Sequence, residues 1–128
     1  MEARGAFDLV IQMSIDEFFK RKYDRRNYNC AHFVCEVWKA TTGEDLAHKL
    51  RGFLQAPEDR RAVLSDLRSF ERLQAPESPC LALMQRRGSA PHVGMFLRGR
   101  VLHIHEMGVE FQPIDVASRG FEKIGFYK

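Results

Sequence analysis

The sequence predicts an α+β fold in which N-terminal helices pack on a C-terminal antiparallel sheet of about five strands. Apolar residues recur at spacings of three and four through roughly the first 75 positions, and after residue 79 they fall in short β-rich runs separated by glycine-bearing turns. That segregation favours separate helical and sheet layers over an alternating parallel sheet. At 128 residues the chain has the length of one domain. Residues 1–128 are therefore read as a single unit, with a helical part over about 7–75 and a sheet part over about 80–127.

The helical part opens with residues 7–20, where Phe7, Val10, Ile11, Ile15, Phe18 and Phe19 share one helical stripe. The polar run RKYDRRNYN follows as a loop ending in a helix cap, Asn29 or Asn27. From Cys30, the residues Phe33, Val34, Val37 and Trp38 continue one stripe, and Gly43 supplies the stop. Residues 44–56 are ambiguous, with a short helical piece around Leu46 to Leu50. Pro57, Glu58 and Asp59 then start a charged surface helix whose apolar positions are Ala62, Val63, Leu67, Phe70 and Leu73, before Pro76 and Pro79 end it.

Five strands are expected in the sheet part: 80–84, 92–97, 101–105, 109–112 and 123–127. On the second, Val93, Met95 and Leu97 alternate with His92, Gly94 and Phe96; on the third, Leu102 and Ile104 alternate with Val101, His103 and His105. Placing both apolar sets on one side of the sheet demands a two-residue turn drawn from Arg98, Gly99 and Arg100. That register gathers His92, His103 and His105 on the other side, with Gly94 between them. Three converging imidazoles make either a catalytic pair with its orienter or a metal site. A glycine among them lets another element come close.

Cys30 is the other chemical signal. At a helix start, backbone N–H groups and the helix dipole are expected to lower a thiol pKa. A cysteine nucleophile also needs an imidazole base and a third group to orient it, roles that Cys30, His92 and His103 can fill. The three cysteines, Cys30, Cys35 and Cys80, are odd in number and irregularly spaced, which fits free thiols in a reducing compartment. Cys35 and Cys80 read as core residues, and His32 and Trp38 as structural ones. A net charge of +3 gives no sign of a nucleic-acid surface. No run approaches bilayer-spanning length, and neither a signal peptide nor a membrane span is expected.

The order NCAHFV at a helix start, then HVGMFL on a strand, then VLHIHEMG resembles the NlpC-type, papain-like cell-wall cysteine peptidases over about residues 23–128. The resemblance implies a papain-like fold and an amidase or endopeptidase acting on peptidoglycan stem peptides. It implies Cys30 as nucleophile, His92 as base and later acid, and His103 as orienter with His105 as a substitute. Asn29 and Tyr28 are the positions similar to oxyanion or supporting residues, and no cofactor or metal is implied. Asn29 stands where the family commonly has Asp, and Tyr23 and Tyr28 lack the glycine pair that usually follows the family's tyrosine. The box also resembles the NCEHFV signature of the lecithin:retinol acyltransferase family, whose histidine precedes its cysteine; here the histidines on the strands follow. The insertion at 44–75 and the closing KIGFYK look like compact members of the superfamily found in phage tails. That likeness implies tail-tip partners, synthesis in a bacterial cytoplasm and assembly into a virion tail. It also leaves room for a structural tail component with little or no activity.

Overall fold

The structure, a computed structural model, describes residues 15–128. Of the first expected helix, residues 7–14 lie outside the described residues, and residues 15–18 are helical. Ile15 and Phe18 are buried, but Phe19, expected on the same stripe, is 47% exposed. The helix stops at residue 18 and the chain turns at 19–20, which swings that ring into solvent.

Helix α1 spans Cys30–Thr42. Asn29 is its cap: the side-chain oxygen accepts the N–H groups of Ala31 and His32, and the His32 ring accepts the N–H of Asn29 in return. At the other end Gly43 takes φ 82° and donates its N–H to the Lys39 carbonyl. The buried stripe Cys30, Phe33, Val34, Val37 and Trp38 follows the expected period, with Ala31 buried beside it.

The ambiguous stretch forms a 3-10 turn at Ala47–Lys49 and helix α2 at Arg51–Gln55. The Asp66 carboxylate accepts the N–H groups of Gly52 and Phe53 at 3.0 Å each, capping α2 from a distance. Helix α3 spans Arg60–Asp66 and starts later than Pro57, because Asp59 caps the N–H groups of Arg61 and Ala62. A 3-10 turn at Leu67–Ser69 ends it. Arg72–Leu73, expected to continue that helix, instead form strand β1. Their pairing with Tyr127 and Phe126 outweighs the helical spacing of Leu73.

The remaining strands are β2 Cys80–Gln85, β3 His92–Leu97, β4 Arg100–His105, β5 Gly108–Pro113 and β6 Lys123–Tyr127. They make one six-stranded sheet in the order β1-β6-β2-β3-β4-β5, antiparallel at every pairing. The sixth strand relative to expectation is β1. A short helix α4, Ile114–Ser118, was not legible because five residues are too few to show a period.

Both faces of the sheet are buried. One meets α1–α3 through Leu81, Leu83, Val93, Met95, Leu97, Leu102 and Ile104. The other carries Cys80, Ala82, Met84, Phe96 and Val101 beneath Ala117 of α4, with Phe121 packed alongside. This double burial explains why β2 reads as a continuous apolar run rather than an alternating one. Among the described residues, no helix is long and apolar enough to cross a membrane.

Candidate active site

The histidines are brought together by the β3–β4 hairpin. Leu97 pairs with Arg100, and Arg98 and Gly99 make the two-residue turn with φ 53° and 84°, both left-handed as a type I′ turn requires. Val93, Met95, Leu102 and Ile104 therefore face the helices, and His92, His103 and His105 share the opposite side. The ladder pairs Met95, Phe96 and Leu97 with Leu102, Val101 and Arg100. Beyond it, side chains link the two strands.

His92 Nε2 lies 2.9 Å from His103 Nδ1, and His103 Nε2 lies 3.0 Å from Oε1 of Gln112 on β5. Glu110, also on β5, places Oε2 3.7 Å from His103 Nε2 and 3.2 Å from His105 Nε2. Phe121 stacks on the His92 ring at 5.9 Å between centroids and 4° between planes. Gly94 keeps the approach open: a Cβ there would lie 2.9 Å from Met84 Cε and Val101 Cγ1 and 3.0 Å from His103 Cβ.

Cys30 occupies the first turn of α1 and is buried among the helix-side residues. Its sulfur meets the backbone N–H of Val93, the residue after His92. The sulfur thus meets the β3 backbone one residue from His92. Among the described residues, the hydrogen bond of the His92 ring goes to His103, not to the sulfur.

Burial governs the ionisation of this pair. It pushes the Cys30 thiol up to about 11, against the opposing pull of the N–H groups of Val93, Ala31 and Cys30 itself. The lowered thiol expected from the helix start is thus overturned by desolvation. Burial also depresses His92 to about 3, helped by the neighbouring His103 and His105. His103 is lowered by burial too, with Gln112 and Glu110 pulling the other way. At neutral pH the pair is a thiol and a neutral imidazole.

Of the other expected residues, His105 stays beside the pair, its ring 5.7 Å from that of His103, while Tyr28 and Asn29 are engaged elsewhere. His105 Nδ1 accepts the N–H of Met107 at 3.1 Å, and its Nε2 faces Glu110, so it braces the β4–β5 turn. The Tyr28 hydroxyl donates to Glu36, which also pairs with Arg21. Burial and that contact hold Tyr28 firmly protonated. Asn29 is committed to the helix cap and donates its amide to the Phe53 carbonyl at 3.0 Å.

Tyr23 is the tyrosine that lines the histidine cavity. With His92, His103, His105, Glu106 and Phe121 it lines a cavity of about 600 Å³. Its phenol is held protonated by burial and by the Cys30 sulfur nearby. Gln112, Glu110 and Phe121 were missed in the sequence. The first two were within reach of the period-two rule, since Glu110 and Gln112 alternate with Val109 and Phe111 and so fall on the histidine side. Among the described residues, no group of three or more His, Cys, Asp or Glu side chains is placed to hold a metal ion. In comparison with known proteins, no family model matches the chain and no curated protein matches it.

Proposed function

We propose that the protein is a cysteine amidase or endopeptidase of papain-like architecture, cleaving peptide bonds of peptidoglycan through Cys30, His92 and His103. The observation that carries this reading is the hydrogen-bonded line His92–His103–Gln112, which begins one residue from the N–H that meets the Cys30 sulfur. A half-buried imidazole ordered at one nitrogen by a second ring has the form of a general base with its orienter.

In the proposed cycle the Cys30 proton passes to His92 as sulfur attacks the substrate amide carbonyl. The tetrahedral oxyanion is met by the N–H of Cys30 and the hydroxyl of Tyr23, in place of Tyr28. The His92 imidazolium gives its proton to the departing amine and leaves a thioester. Water, deprotonated by His92, hydrolyses the thioester to a carboxylate and restores the thiol. The peptidoglycan substrate and carriage on a phage tail, beside other tail-tip proteins, rest on the resemblance of NCAHFV, HVGMFL and VLHIHEMG.

The test is release of new amino groups from purified bacterial wall by the full chain, with Cys30→Ala and His92→Ala each abolishing it. Undiminished release by Cys30→Ala would discard the proposal. A second reading, a tail component that keeps the fold without activity, is favoured by the desolvation of both groups, which raises the Cys30 thiol and lowers the His92 imidazole. Wall left intact by the wild-type protein would support it.

A further inference from the structure

We infer that Gln112, backed by Glu110, is a positioning residue that fixes where the protons sit on the two imidazoles. The inference deepens the proposed hydrolase, because it decides which nitrogen of His92 is free to act as base. Two oxygens face His103 Nε2: the Gln112 amide oxygen at 3.0 Å and a Glu110 carboxylate oxygen at 3.7 Å. An ionised carboxylate and an amide oxygen only accept hydrogen bonds. The proton of neutral His103 is therefore on Nε2, and Nδ1 is its bare acceptor.

The consequence passes along the line. With His103 Nδ1 bare, the 2.9 Å contact to His92 Nε2 is a hydrogen bond only if His92 donates from Nε2. Neutral His92 then has Nδ1 unprotonated, as a base must. A donor in place of Gln112 Oε1 would reverse every step: His103 would carry its proton on Nδ1, His92 would accept at Nε2, and His92 Nδ1 would hold the proton. Gln112 does this through His103. Glu110 is shared with His105, whose Nδ1 accepts from Met107 N–H, so His105 presents an Nε2–H to the same carboxylate at 3.2 Å. That second donor holds Glu110 turned toward the pair.

The test is long-range nitrogen NMR on the uniformly ¹⁵N-labelled full chain at pH 7, which separates protonated ring nitrogens from bare ones. In the wild type, Nε2 of both His92 and His103 should give protonated-type shifts, and both Nδ1 atoms bare-type shifts. Gln112→Met should move these toward tautomer-averaged values, and Gln112→Glu, which keeps an acceptor in place, should restore them. A protonated-type Nδ1 on His103 in the wild type, or an unchanged pattern in Gln112→Met, would overturn the inference. Because the readout is spectroscopic, the proton pattern can hold even if wall hydrolysis fails, and hydrolysis can be found with the opposite pattern. The two proposals therefore fail separately.

Discussion

His92 Nε2 lies 2.9 Å from His103 Nδ1, just past Met95 and Leu102, the last paired residues of their hairpin. The imidazoles thus take over from the backbone as the link between the strands at the end where the Cys30 sulfur arrives. An interaction that both closes a hairpin and orders the proposed base ties local stability to the proposed chemistry. The expected outcomes below follow from that coupling.

Thiol reactivity should report a neutral resting pair. With the Cys30 thiol raised to about 11, its thiolate fraction grows about tenfold per pH unit below that value. Iodoacetamide labelling of native Cys30 should rise accordingly from pH 7 to 10. Peptide mapping separates it from Cys35 and Cys80, whose thiols burial also raises. Labelling that is fast and flat between pH 6 and 9 would instead reveal a resident thiolate–imidazolium pair.

Acid should destabilise the fold through the same histidines. His92 titrates near 6.5 when unfolded and at about 3 when folded, so its contribution is complete above 6.5 and drains away as pH falls toward 3. At 1.4 kcal/mol per unit, and allowing for the solvent-facing part of the ring, that contribution is about 2–3 kcal/mol. His103 shifts in the same direction and adds to the slope. Urea denaturation at pH 7 and pH 4 should show the loss, and His92→Gln should flatten it.

Gly94→Ala should damage the site and the fold together. The added methyl would press on Met84, Val101 and His103. The Met84 chain end can move, but the Val101 branch and the His103 Cβ are held by their strand. A cost of about 1–3 kcal/mol is expected from this overpacking, together with loss of the His92–His103 hydrogen bond. Chemical denaturation and the imidazole NMR signals would check the two effects. A variant as stable as wild type with an intact imidazole pair would contradict this account of the glycine.

Asn29 separates capping from charge. Asn29→Ala removes both cap bonds and leaves the Phe53 carbonyl without its donor, a loss of about 2 kcal/mol. Asn29→Asp keeps the acceptors but sets a carboxylate against that carbonyl, and its charge beside Cys30 should raise the thiol further. Stability should therefore order as wild type, Asp, Ala, with labelling of Cys30 slower in the Asp variant than in wild type at the same pH.

Where one local rule governed, the sequence was readable. The α1 stripe and its Asn29 and Gly43 ends follow from spacing and capping, and the convergence of His92 and His103 follows from strand alternation and a two-residue turn. The misreadings came from forces that act across the chain. Leu73 kept a helical spacing but was drawn into β1 by Phe126. Cys30 sits at a helix start, yet the burial supplied by distant segments raises its thiol instead of lowering it. Tyr28 lay nearer the cysteine in sequence than Tyr23, but Glu36, one helical face away, captured its hydroxyl.

The place of β6 has a consequence for how the molecule is made. It is the last of the six described strands in chain order, yet it lies between β1 and β2, so among the described residues β1 joins the sheet only through it. A growing polypeptide that has emerged from the ribosome only as far as residue 122 can zip the meander β2–β5 but leaves an open flank on β2 and β1 unanchored. Closure across the separation between Leu73 and Phe126 is a slow, long-range event. Until it happens, the bare flank of β2 is the part of the nascent protein most in need of a chaperone.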